Sequence, residues 1–134
     1  MKHATKALIT GLVLAAITLA GCSSEGAVHE TVRPASAAAV IAAEPNEIIL
    51  DIRTQDEFDA GVIEGAINID FYSPTFSEQL DELDKDAHYV VYCRSGNRSG
   101  QAMRTFKELG FTNVTEIDGG IVNWYASGLP VVLP

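Results

Sequence analysis

From residue 28 onward, short apolar runs alternate with segments whose apolar positions recur every three or four residues. This alternation of strand and helix periods predicts an α/β domain with a parallel sheet. Val28 to Val32 reads as a short strand, and Ser36 is placed to cap a helix that runs to Ala43 and stops at Pro45. Ile48-Ile49-Leu50, within Glu47 to Asp51, is a buried-strand run. Thr54-Gln55-Asp56-Glu57 has capping-box spacing, and the helix it opens ends at Gly61. Ala66 to Ile69 predicts a strand, and Thr75 to Leu83 a helix with Phe76, Leu80 and Leu83 on one side. The strand His88 to Tyr92 leads into a turn at Cys93 to Asn97. Ala102, Met103, Phe106 and Leu109 then share a helical face within Arg98 to Leu109, and Gly110 stops that helix. Val114 to Ile117 is the last strand, Gly119-Gly120 a turn, and Ile121 to Ala126 a closing helix.

The start of the chain follows a different rule. Lys2 and Lys6 precede an apolar run from Ala7 to Ala20. Those 14 residues would span about 21 Å as a helix, short of the roughly 30 Å hydrocarbon core of a bilayer. A basic start, a short apolar run and small residues at its end describe a signal peptide, with an uncleaved anchor as the alternative. Leu19-Ala20-Gly21-Cys22 resembles the lipobox of bacterial lipoproteins, in which the cysteine is acylated and becomes the first mature residue. The resulting organisation is a lipoprotein signal peptide over 1–21, a tether with lipidated Cys22 over 22–27, and one domain over 28–134. Several acyl chains, palmitate among them, would suffice for stable attachment. The expected location is therefore outside the cytoplasmic membrane, on a bacterial membrane and facing the periplasm in a two-membrane organism. Ser23 resembles the residue that follows the cysteine in proteins sent to the outer membrane.

Charge narrows the partners. The chain has 134 residues, 9 basic and 18 acidic, for a formal charge of −9. Removal of Lys2 and Lys6 would leave 7 basic residues against 18 acidic, or −11. With no long Lys/Arg run, nucleic acid is not an expected partner. Two cysteines, Cys22 and Cys93, exclude a multi-bridge disulfide framework. His3, His29 and His88 are scattered, and no ligand spacing predicts a metal site.

Cys93 stands directly after an apolar strand and before a helix, so it belongs at the carboxyl edge of the sheet, where open α/β folds bind ligands. The loop Cys93-Arg94-Ser95-Gly96-Asn97-Arg98 contains residues that tolerate a tight curl, Gly96 and Asn97 above all. Such a curl turns backbone N–H groups inward as an anion-binding nest, with the positive end of the next helix behind it. Arg94 and Arg98 can add full charge. The same field favours thiolate over thiol, so Cys93 is expected to be an acidic, nucleophilic cysteine. Its bland alternative is a small core residue at a strand end.

These segments together resemble the rhodanese family. Ile49-Leu50-Asp51-Ile52-Arg53, Glu57-Phe58 and Gly61-Val62-Ile63-Glu64-Gly65-Ala66-Ile67-Asn68 are similar to its early signature. Cys93-Arg94-Ser95-Gly96-Asn97-Arg98-Ser99 resembles its active loop, and Asp118-Gly119-Gly120-Ile121, Trp124 and Gly128-Leu129-Pro130-Val131 its closing motif. The likeness covers the chain from about Val28 to the end. One departure is Val62, where family members usually carry histidine.

The resemblance implies a three-layer α/β/α domain with a five-stranded parallel sheet. It also implies sulfur transfer through a persulfide on Cys93, from a small anionic donor such as thiosulfate to cyanide or a thiol, without metal or organic cofactor. Arg94, Ser95, Gly96, Asn97 and Arg98 would bind the donor. Asp51 and Arg53 are expected to pair in support of the loops, Gly119 and Gly120 to permit close backbone approach, and Trp124 to belong to the core. Tyr72 and Phe76 could line the entrance or simply pack. Related phosphatases and arsenate reductases place five residues between cysteine and arginine, whereas four separate Cys93 from Arg98; the smaller ring suits a sulfur atom. A persulfide carrier or a membrane-displayed binding module is the alternative to a turnover enzyme.

Overall fold

The structure is a computed structural model that describes residues 26–134; the signal segment, Cys22 and most of the tether lie outside the described residues. Five strands alternate with five helices: β1 Val28–Val32, α1 Pro34–Ala43, β2 Ile48–Asp51, α2 Gln55–Asp59, β3 Ile67–Asn68, α3 Phe76–Asp81, β4 His88–Tyr92, α4 Asn97–Glu108, β5 Asn113–Ile117 and α5 Gly120–Ala126. All pairings are parallel, in the order β1-β5-β4-β2-β3. The expected α/β fold with a five-stranded parallel sheet is therefore present.

Strand alternation divides the core in two. Tyr89, Val91 and Cys93 point to one face, where Phe106 and Ala102 of α4 and Phe76 and Leu80 of α3 cover them. Val90 and Tyr92 point to the other, against Ala37 of α1 and Ile121 and Trp124 of α5. A strand buried on both faces has no polar positions to alternate, which explains the continuous apolar reading of β4.

Several boundaries differ from expectation by a residue or two, and those of α1 and α3 have a physical lesson. Helix α1 begins at Pro34 with Arg33 as its cap, and no side chain caps it; Ser36 sits inside the first turn. Proline needs no N–H partner there, and its fixed φ suits the first helical position. Helix α3 is shorter than the apolar spacing predicts, ending at Asp81 rather than Leu83. The capping box of α2 forms as read: Thr54 Oγ1 accepts from Glu57 N–H at 3.4 Å, while Thr54 N–H donates to Glu57 Oε2 at 3.1 Å.

Val62 is buried and forms a short antiparallel bridge with Val132, each N–H donating to the other's carbonyl at 2.8 and 2.9 Å. Its apolar side chain suits this clasp between the loop after α2 and the end of the chain.

Candidate active site

Strand β4 ends at Tyr92, so Cys93 emerges at the carboxyl edge of the central strand. Its residue surface is 1% exposed. Gly96 N–H donates to Cys93 Sγ at 3.1 Å, and Ser99 Oγ lies 3.4 Å from the sulfur. Burial pushes the thiol pKa up, but the Ser99 hydroxyl and the N–H groups of Ser99, Gly96 and Ser95 together hold it below its ordinary value. Arg94, Ser95 and Asn97 are exposed around the sulfur.

The loop keeps this shape because its carbonyls are engaged from behind. Ile121 N–H donates to Cys93 O at 3.0 Å and Val122 N–H to Arg94 O at 3.1 Å. With carbonyls turned toward α5, the amide hydrogens of the next residues turn toward the sulfur. Two glycines make the approach possible. Gly96 has φ +93°, a conformation open to glycine, and Gly120 has φ +61° with no room for a side chain: a Cβ there would overlap the carbonyls of Cys93 and Arg94.

Asp51 and Arg53 form a buried pair, with Arg53 Nε 3.0 Å from both carboxylate oxygens and Nη2 2.6 Å from Oδ2. Arg53 Nη2 also donates to Gly61 O at 2.6 Å, tying β2 to the loop after α2. Asn68 Nδ2 closes the arrangement by donating to the carbonyls of Asp51 and Arg53, both at 2.9 Å. Trp124 is buried, its Nε1–H donating to Pro130 O at 2.8 Å.

Arg98 is engaged by a carboxylate. Its guanidinium makes two 2.7 Å bonds to Glu57 and lies 5.4 Å from the Tyr72 ring. The fork of Arg98 matches a carboxylate bidentately, and Glu57 is already oriented by its capping role. The bonds from Arg98, opposed by burial and aided by Thr54, draw the Glu57 pKa down to about 2. Arg94 is the exposed cation of the loop. In the sequence Glu57 is legible as a helix cap and as part of the family's early signature, not as the partner of Arg98. Glu116 carries no functional reading in the sequence, and Ser99 only a place at the end of the loop motif: Ser99 Oγ–H donates to the buried Glu116 Oε1 at 2.6 Å. A glutamate within the strand Val114 to Ile117 is the available signal.

The profile of the rhodanese-like domain family matches residues 34–127, most of the chain and every element from α1 to α5. The chain belongs to that family. This rhodanese-like domain is 37% identical over 87 residues to a sulfurtransferase of Allochromatium vinosum, covering 65% of this chain and 79% of that one. It is 36% identical over 91 residues to a chloroplastic thiosulfate sulfurtransferase of Arabidopsis thaliana, covering 60% and 76% respectively. Some relatives are longer, and the chain spans 50% of one and 20% of another. Among solved structures, a rhodanese-related protein of Thermoplasma volcanium superposes with a TM-score of 0.70 at 31% identity, covering 79% of this chain and all of that one. Sulfur transfer is the broad class of activity that these similarities support.

Proposed function

We propose that the protein is a thiosulfate-type sulfurtransferase that carries sulfane sulfur as a persulfide on Cys93. The observation that carries this reading is the ring of N–H groups around Cys93 Sγ, which stabilises an anionic sulfur at the mouth of the sheet. In the first step the Cys93 thiolate attacks the outer sulfur of thiosulfate. A new S–S bond forms, the bond to the sulfonate breaks, and its electron pair leaves with sulfite. The persulfide anion remains, held by the same amides, with Arg94 drawing the anionic donor in. A thiol or cyanide then attacks the outer sulfur, and the Cys93 thiolate departs. In this scheme Arg98 supports the loop through Glu57 rather than meeting the donor as a free charge.

Intact mass after thiosulfate exposure tests the reading. Wild type should gain one sulfur atom and lose it again to cyanide, while Cys93→Ser gains none. A wild type that gains no sulfur refutes the proposal and supports the binding-module alternative; a persulfide that small acceptors do not remove supports the carrier.

We further propose that the domain is exported and anchored through acylated Cys22, placing its chemistry on a membrane that faces the periplasm in a two-membrane organism. The lipobox-like Leu19-Ala20-Gly21-Cys22 after a short apolar run supports this location.

A further inference from the structure

Beside the Cys93 loop, α2 and α5 border a groove of about 470 Å³. Ala60 and Gly61 line it from the end of α2, Ile121, Val122 and Tyr125 from α5, and Val131 from the last segment of the chain. Its volume falls among small-molecule sites, which run from roughly 300 to 1,000 Å³. Val122 and Tyr125 are three residues apart on one helix face and stay 50% and 73% exposed. Single exposed apolar side chains are ordinary, but two that line one concave surface make a patch that a ligand can cover.

The groove is continuous with the reactive loop. The N–H groups of Ile121 and Val122 hold the carbonyls of Cys93 and Arg94 at 3.0 and 3.1 Å. Glu57, which also lines the groove, holds Arg98 of the same loop. The charges along the groove are already engaged, Arg53 with Asp51 and Glu57 with Arg98. Asp118 belongs to a separate depression with Arg33 and Asn123. An occupant therefore meets apolar surface and satisfied ion pairs in the groove, and an exposed cation, Arg94, on the loop. That surface is complementary to a molecule with an apolar body and an ionisable sulfur end.

Neither thiosulfate nor cyanide has an apolar body, so neither draws anything from this surface. The remaining reactant is the thiol that takes the sulfur. We propose that the groove is an acceptor subsite for a small organic thiol with an apolar substituent, and that Val122 and Tyr125 set specificity in the second half of the transfer. The inference rests on Cys93 carrying a persulfide, as proposed above. In the step it serves, the sulfur of R–SH bonds to the outer sulfur of the persulfide anion, and the bond from that sulfur to Cys93 Sγ breaks. The electron pair returns to Cys93 as thiolate, and the proton leaves with the hydropersulfide R–S–SH. Seating the substituent in the groove holds the thiol beside the persulfide, so the gain is read in the rate of discharge.

The test loads the full chain with thiosulfate, removes excess donor, and discharges the persulfide with phenylmethanethiol or with 2-mercaptoethanol in a single turnover followed by intact mass. The two thiols are of similar acidity and differ in the body they carry. Wild type should discharge to phenylmethanethiol about tenfold faster, the gain expected from covering part of one aromatic ring. The double variant Val122→Ser, Tyr125→Ser should bring that ratio to within about twofold of unity, while Tyr125→Phe retains it. Both side chains are exposed, so the core does not depend on them. A wild-type ratio below about threefold overturns the subsite, as does a preference that survives in the double variant. Discharge by cyanide separates this proposal from the one beneath it. A protein that loads sulfur and yields it to cyanide without preferring the apolar thiol loses the subsite alone. One that never loads loses the sulfurtransferase reading and the subsite together.

Discussion

Replacing Glu57 by glutamine removes the charge that holds Arg98 while keeping the length of the side chain. In the folded protein the Glu57 carboxyl titrates near 2, against an ordinary value of 4.5. At full strength that difference corresponds to about 3 kcal/mol. Glu57 is still 28% exposed on its side chain, against 11% for Arg98, and solvent weakens the pair, so about 1–2 kcal/mol is the expected loss near neutral pH. The pH dependence has a definite sign. A carboxyl whose pKa is lowered by folding contributes fully above 4.5 and loses its contribution as pH falls toward about 2. Urea unfolding of wild type and Glu57→Gln between pH 7 and 2 isolates this effect as the difference between two curves, since all other carboxyls cancel. The variant should be less stable at pH 7, and the two curves should converge at the acid end. Equal stabilities at pH 7, or a constant difference down to pH 2, would refute the assignment of Arg98 to Glu57.

Gly120→Ala forces a methyl group against the carbonyls of Cys93 and Arg94; it should cost about 1–3 kcal/mol in urea unfolding and slow persulfide formation by about tenfold or more through displacement of the loop. Phe106→Ala empties a fully buried site that meets Phe111 edge to face at 4.9 Å, and should lower stability by about 3–5 kcal/mol in the same assay. Cys22→Ser should release the protein from the membrane fraction to the soluble one on fractionation of the expressing cells, with sulfur loading on Cys93 unchanged; retention in the membrane would refute acylation at that residue.

Legibility followed the range of the interactions. The bounds of strand β4 match the expectation, because five consecutive strand residues end at a glycine-containing turn. The α2 capping box was equally plain, since its partners are three residues apart. Ser36 has the character of a cap, yet Pro34 already satisfies the helix start, so α1 begins earlier than the sequence pattern predicts. Cys93 and its loop are local too. What escaped was long-range: Glu57 and Arg98 are 41 residues apart, and Ser99 and Glu116 are 17 apart. Each residue has an ordinary local role, as cap, helix start or strand member. Only the folding of β5 beside β4 and the return of α2 to the loop reveal the second one.

A sheet whose strands all run the same way has a front and a back. Cys93 opens at the front, beyond the last residue of β4, whereas Val28 starts β1 at the back, level with Asn113 and His88. Strands of five residues set those two rims about 16 Å apart. An attachment ahead of Val28, as proposed, would therefore hold the domain by its rear rim, with the Cys93 loop on the opposite one.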